Sequence, residues 1–428
     1  MTHVLVQSTL PPTRSLRARL PRRVLALAVS LGLGLTLLPA APAQAATPRV
    51  PASFFGMHDG DPVSWPTVAV GSVRLWDSGV TWRQIEKTAG VYDFTRLDAQ
   101  VAAARTNGAR VLLVLGQTPR FHSTKPGQRS VYGPGAASMP TESSWKNYVY
   151  TVARRYKGQG VDYQVWNEAN VASYWRGSAA QMAKLTALTA KVVNANDGSA
   201  TIVAPALATR LTGQRAWLRE FYAQRVGGKK VASYVDAVSL NLYPVAKAGP
   251  EASMTLLAAS RIMLRAAGVT KPIWNTEVNY GLLGGGTAKA IAGDREAAYV
   301  SRTLVLNAEA GVRKMFWYAF DLQKLANTQL SLPSGSLTKA GTAWTVTRGW
   351  LLGSKVIGCP RDSRGTYTCT LRYSGGVKRV IWNPSRKVRV RADASARAWV
   401  GLSGTERVIT GGEQLGVGPS PIMIRSAK

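Results

Sequence analysis

Two short stretches of the chain repeat one arrangement of side chains. "YQVWNEAN" (Tyr163–Asn170) and "PIWNTEVN" (Pro272–Asn279) each pass from an apolar segment through Trp-Asn to a glutamate, Glu168 in the first and Glu277 in the second. An acid placed just beyond an apolar run stands at the edge of a core, where burial and neighbouring charges set its proton affinity. Two such acids facing each other can divide a displacement at a sugar carbon: one protonates the leaving oxygen and the other attacks the anomeric centre. The plainer alternative for either is a solvated residue opening a loop.

The surrounding elements must bring the two acids together. Eight apolar runs read as strands, at 53–57, 72–76, 110–116, 162–166, 201–205, 236–243, 271–277 and 314–320. Helical periodicity fills most of the gaps between them. In "TRLDAQVAAARTNG" (95–108) Leu97, Val101 and Ala104 share a face and Gly108 can end the helix. "AAQMAKLTALTAKVVNA" and "MTLLAASRIMLRAAG" behave alike. Apolar strands alternating with helices predict a (β/α)8 TIM barrel over residues 46–353. An open doubly wound sheet is the alternative, but no Gly-rich phosphate loop follows the first strand. From about Lys355 the runs become short and are punctuated by Gly, Ser and Pro ("TYTCTLRY", "VKRVIWN", "KVRVRA", "RAWVGL", "SPIMIRS"). Residues 354–428 are therefore expected to form a small all-β, sandwich-like module, either packed on the barrel or binding carbohydrate.

The first 45 residues differ from the rest: five arginines (Arg14, Arg17, Arg19, Arg22, Arg23), the apolar "VLALAVSLGLGLTLL" and a small-x-small site ending at Ala45. This is the pattern of a secretory signal peptide, so a secreted, extracellular location is expected. No later run reaches the roughly 18 residues of a membrane span. The two cysteines, Cys359 and Cys369, flank a Gly-containing turn and in an exported chain predict a local disulfide. With so few Cys and only His58 and His122 beyond the leader, a zinc-type catalytic site is not expected, although carboxylates could still hold calcium; no cofactor is expected.

Charge is heavily unbalanced, with 54 Lys and Arg against 22 Asp and Glu. Loss of the five leader arginines leaves 49 against 22, a net charge of +27. Either this is a solvated basic surface, or it attracts an anionic polymer such as an acidic polysaccharide. Near the strand ends Arg120, Lys125, Arg176, Arg210 and Lys247 are placed to do so.

Chemistry in such a barrel occurs at the C-terminal ends of the strands. The polar and aromatic residues found there are His58, Arg74, Asp77, Gln117, His122, Asn167, Glu168, Asn241, Tyr243, Glu277 and Trp317. Arg74, amid apolar "SVRLW", needs a carboxylate partner if buried, and would keep a nucleophile ionised. Glu168 needs an apolar surround to hold its proton, which Trp166 and Trp175 could supply. His58 and His122 could meet sugar hydroxyls or serve structure; Trp317 could meet the sugar or pack the core.

The motifs "VRLWDSGVTWRQIEKTAGVYDF", "VWNEAN", "IWNTEVNYG" and "FWYAFD" together resemble the clan A glycoside hydrolases, in particular the family 39-like branch, over about Ser53 to Ser354. The resemblance implies that Glu168 is the acid/base, Asn167 holds the sugar 2-hydroxyl and Glu277 is the nucleophile. It further implies that Arg74 and Tyr243 hydrogen-bond Glu277 and that Trp317 floors the innermost subsite. Many relatives carry His where this chain has Asn241. The expectation is a secreted retaining glycosidase acting on an extracellular poly- or oligosaccharide, monomeric and without nucleic acid. The competing readings are a non-catalytic glycan- or wall-binding protein and, from charge alone, a nucleic-acid binder; the latter lacks a metal cluster and would show steep salt dependence.

Overall fold

The computed structural model describes residues 48–281, 291, 293–321 and 328–427. The leader and the Gly-rich loop 282–290 lie outside the described residues. Eight parallel strands form the barrel wall: β1 (Phe55–His58), β2 (Ser72–Leu75), β3 (Arg110–Leu115), β4 (Val161–Val165), β5 (Ile202–Val203, resumed at Leu207–Ala208), β6 (Val238–Asn241), β7 (Ile273–Val278) and β8 (Lys314–Trp317). They follow one another around the sheet, with β1 beside β8. The broken β5 closes the ring: its first half pairs with β4, its second with β6, and Val203 bridges Ala237.

Helices α1 (Trp82–Ile85), α2 (Thr95–Thr106), α3 (Glu142–Arg155), α4 (Ala179–Asn196), α5 (Thr212–Ala223), α6 (Pro250–Ala266), α7 (Asp294–Glu309) and α8 (Lys339–Leu351) form the outer layer. Local chemistry fixes where they begin. Ser178 and Gln181 form a capping box at the start of α4, with bonds of 2.9 and 3.1 Å, and Gly108 in the left-handed region follows α2.

Strand alternation divides the side chains between two cores. Phe55, Met57, Val73, Leu75, Met315 and Trp317 join the large core under the helices. Leu112, Val203, Ala237, Trp274 and Phe316 make a separate cluster inside the barrel. Phe316 fills that interior so closely that a Cβ on Gly56 would stand 2.5 Å from its ring, so only glycine fits there. Below this layer Asp162 is held by Lys314 at 3.1 Å and by Arg110 at 2.5 Å, so each charge on an otherwise apolar strand has a partner.

Beyond Ser354 the chain forms an all-β module. Strands β9 (Lys355–Gly358), β10 (Tyr367–Tyr373), β11 (Gly376–Trp382), β12 (Val388–Arg391), β13 (Ala396–Val400), β14 (Glu406–Val408), β15 (Gln414–Val417) and β16 (Ile422–Ser426) are antiparallel. A six-stranded sheet runs β9-β10-β11-β16-β13-β14, and β12 pairs with β15. Ile381, Ile424, Leu415 and Val417 form the core between the two sheets. The other face supplies Cys369, Leu371, Val380 and Trp382 to the large core of the barrel, and Trp382 donates to Glu251 of α6 at 3.0 Å. Cys359 and Cys369 are disulfide-bonded across β9 and β10. Among the described residues no helix is long and apolar enough to cross a membrane.

Candidate active site

Arg74 organises the mouth of the barrel. It points inward from β2, has no exposed surface, and uses its guanidinium as a fork: Nε donates to Gln164 Oε1 at 2.6 Å, Nη2 to Asn167 Oδ1 at 2.7 Å and Nη1 to Glu277 Oε1 at 2.5 Å. The second oxygen of Glu277 accepts from Tyr243 Oη at 3.0 Å. Charge-assisted bonds of this kind both orient a carboxylate and favour its ionised form.

A regular strand would turn consecutive residues to opposite faces, yet Asn167 and Glu168 both enter the site. The break lies in the backbone: Trp166 has φ 72° and Glu168 φ 43°, so the chain leaves β4 through the left-handed region. Gly116 makes room, since a Cβ there would stand 3.2 Å from Trp166 and 3.4 Å from Trp76. On β7 the register shifts beyond Asn275 against both neighbours, before Glu277 on the β6 side and before Val278 on the β8 side, a bulge that keeps Thr276 and Glu277 on the interior side together. Glu168 then meets Asn241, whose Nδ2 donates to its Oε1 at 3.2 Å.

The two glutamates differ in their partners. Burial raises the proton affinity of both. Glu277 is pushed up to about 7 by burial, with Arg74 opposing and the Glu168 and Asp77 charges adding. Glu168 is raised by burial, opposed by the Asn241 hydrogen bond, Arg74 and Arg210. The charge of Glu168 also opposes ionisation of Glu277, so the two carboxyls do not ionise independently. Arg74 and Tyr243 supply Glu277 with two donors suited to an anion, whereas among the described residues Glu168 has the amide of Asn241, so the hydrogen bonding favours charge on Glu277 and the proton on Glu168. Glu168 is also partly open at the surface, whereas Glu277 is 6% exposed.

Further side chains surround the carboxyls. Asp77, just beyond β2, accepts from Tyr318 Oη at 2.8 Å, and burial raises its carboxyl against that hydrogen bond. Tyr132 lies edge-on to Trp76 at 5.6 Å and 5.7 Å from Tyr174; both tyrosines are partly exposed and form an aromatic wall. Of the basic residues, Arg120, Lys125, Arg176 and Lys247 are exposed, and Arg210 turns its Nε toward the Tyr243 carbonyl at 3.4 Å. Gln117 is occupied by the Thr81 hydroxyl at 3.0 Å.

The expectation for Trp317 needs correction, and Trp175, His122 and His58 take structural places. Trp317 does not face the site; it is fully buried in the large core beside Tyr280, because Phe316 occupies the barrel interior and alternation places Trp317 outside. Tyr318 takes the inward position. Trp175 is a buried support, packed on Trp166 at 4.9 Å with its Nε1 on the Ser178 carbonyl. His122 stacks on Trp82 and pairs with Glu86 at 2.9 Å, where its ring nitrogen serves a buried carboxylate. His58 is only 1% exposed, with Nε2 3.0 Å from Arg74 Nη1; burial and the Arg74 charge hold its proton affinity well below the ordinary value, so it stands neutral behind the pair. Tyr132 and Tyr174 were missed because loop residues carry no periodic signal. Lys314, inward and paired with Asp162, could have revealed Tyr318 four residues on.

A barrel mouth that holds two buried carboxyls with unequal hydrogen-bond donors suits acid-assisted displacement at a sugar, the chemistry of glycoside hydrolases. Residues 141–344 match the family model described as a glycosyl hydrolase catalytic core. No curated protein matches the chain. Among solved structures, it resembles a family 39 glycoside hydrolase from the gut symbiont Bacteroides cellulosilyticus WH2, with TM-score 0.68 and 17% identity over 88% of this chain and 81% of that one. A family 39 β-xylosidase from Caulobacter crescentus gives 0.64 and 17% over 90% and 98%. A family 30 subfamily 8 xylanase from Clostridium acetobutylicum gives 0.60 and 12% over 89% and 97%. Residues 141–344 thus carry a glycosyl hydrolase catalytic core, and the fold resembles that of the clan A enzymes of family 39.

Proposed function

We propose that the protein is a secreted, retaining glycosidase of an extracellular polysaccharide or oligosaccharide. The observation that carries this reading is the unequal support of the two buried carboxyls. Glu277, oriented by Arg74 and Tyr243, attacks the anomeric carbon while Glu168 passes its proton to the leaving oxygen; the glycosyl-enzyme is then opened by water that Glu168 deprotonates. Asn167, with its Oδ1 held by Arg74, turns its Nδ2 to no other protein atom among the described residues and is free to meet a sugar hydroxyl. The leader supports secretion.

Three carboxyls at the innermost subsite, Asp77, Glu168 and Glu277, favour a neutral sugar there. Acidic groups of a substrate would lie further out, toward Arg210 and Arg176.

The test is kinetic and stereochemical. Glu277→Ala should abolish turnover, with azide restoring it as an inverted glycosyl azide. Glu168→Ala should spare the first step only for activated aryl leaving groups, which need little protonation. An initial product of inverted configuration from the native enzyme, read by proton NMR, would overturn the retaining assignment.

A further inference from the structure

Behind the two carboxyls runs a chain of buried hydrogen bonds that the mechanism above does not use. Gln164 on β4, which accepts from Arg74 Nε, donates through Nε2 to Ser239 Oγ on β6 at 2.6 Å. Ser239 Oγ lies 2.5 Å from Thr276 Oγ1 on β7, Thr276 Oγ1 donates to Asn241 Oδ1 at 2.8 Å, and Asn241 Nδ2 reaches Glu168. Gln164, Ser239 and Thr276 have no exposed surface and Asn241 is 1% exposed, so water does not enter the chain.

Its donor order follows from one end. An arginine Nε–H can only donate, so the Gln164 oxygen must face it and the Gln164 amide N–H must face Ser239. Ser239 Oγ accepts from Gln164, and the acceptor left for its own proton within the chain is Thr276 Oγ1, whose proton goes on to Asn241 Oδ1. Asn241 consequently presents N–H, and not its carbonyl, to Glu168. Reversing the amide would set donor against donor at Thr276 unless Thr276 turned its proton to Ser239, and Ser239, already accepting from Gln164, would then hold a buried hydroxyl proton with no acceptor left in the chain.

We propose that Gln164, Ser239 and Thr276 are positioning residues that form a one-way relay from Arg74, fixing the Asn241 amide with its N–H on Glu168 and so biasing that carboxyl toward its ionised form. The groups that face Glu168 directly are Arg74, Arg210, Asp77, Glu277, Tyr174 and Tyr243. The relay adds a fixed neutral donor to that field. Without it the desolvated acid would hold its proton too strongly to pass it readily to the leaving oxygen in the first displacement, a consequence that rests on the retaining reading above.

The experiment needs no substrate. The full protein carrying glutamate labelled with carbon-13 at the side-chain carboxyl is titrated by NMR, with Glu168 assigned through Glu168→Gln. Thr276→Val keeps shape but removes the hydroxyl, and should raise the Glu168 midpoint by about one pH unit, the scale of one hydrogen bond to the charged form. Thr276→Ser should restore the native midpoint. A native midpoint in Thr276→Val, or a raised one in both variants, overturns the relay. Should Thr276→Val fail to fold, Ser239→Ala cuts the chain one member earlier and is read in the same direction. Catalysis does not enter the readout: a fully active Glu168→Gln would sink the acid/base reading and leave the relay result intact.

Discussion

Removing the charge of Arg74 while keeping its bulk, as in Arg74→Met, should cripple the enzyme in a pH-dependent way. The guanidinium is the only cation bonded to Glu277 among the described residues, at 2.5 Å with no exposed surface. At an effective dielectric of about 20, opposite charges whose centres lie about 4 Å apart attract by about 4 kcal/mol, equivalent to about three pKa units. Glu277, already up to about 7 through burial, would then titrate roughly three units higher, near pH 10. The ionised fraction near neutrality, and with it kcat/KM, should fall by about 10²- to 10³-fold, and the acidic limb of the pH–rate profile should move upward. The assay is kcat/KM against pH on a dinitrophenyl glycoside, whose leaving group makes the acid dispensable. Breaking a buried pair costs about 3–5 kcal/mol, so circular dichroism must first show that the variant folds; Arg74→Lys, which keeps a point charge but not the fork, should hold the limb within about one unit of native. A folded Arg74→Met whose loss is uniform across pH would refute the argument, because the arginine would then act by position alone.

Three further outcomes are expected. Asp59 is raised to about 7 by burial, with the neighbouring Asp321 charge adding; a raised folded value means stability is full below the unfolded pKa and is lost as pH climbs from about 4 to about 7. Asp59→Asn should therefore raise Tm at pH 8, by a gain of at most ~4 kcal/mol, and leave it unchanged at pH 3; no gain at pH 8 would remove the claim. Tyr318→Phe should lower kcat/KM about ten-fold through the lost bond to Asp77 with Tm retained, whereas Trp317→Ala should cost about 3–5 kcal/mol of stability; the opposite pattern would return Trp317 to the site. If the basic surface serves an anionic substrate, KM on the true polymer should rise between about 50 and 500 mM salt while kcat holds, and a salt-independent KM would make that charge a solvated surface only.

The barrel was legible because all eight apolar runs became wall strands, and the glutamates because each ends such a run. The orientation of side chains along the runs was harder to read. Parallel strands bury both faces, so "KMFWYAF" shows no alternation of polar and apolar residues to set its phase. Trp317 and Tyr318 are then equally plausible, and only the pairing of Lys314 with Asp162 inside the barrel decides for Tyr318. His122 misled for another reason. Its partner Glu86 lies 36 residues away, and nothing in the local pattern joins a histidine after β3 to a glutamate after α1.

The residues that matter most are those at which strand periodicity fails. Asn167 and Glu168 are adjacent, as are Thr276 and Glu277, and period-two geometry would send one of each pair into the helix layer. The left-handed backbone at Trp166 and Glu168 and the bulge on β7 prevent this. Non-glycine residues in that region cost of order 1–3 kcal/mol each, and they persist because Trp166 is locked by Trp145, Trp175 and its own Nε1 bond to the Tyr174 carbonyl at 2.9 Å. The buried tryptophans thus shape the site from behind it. They hold the backbone turn that lets one strand end deliver both Asn167, fixed by Arg74, and Glu168, while the bulge delivers Glu277 beside the Thr276 hydroxyl that reaches Asn241.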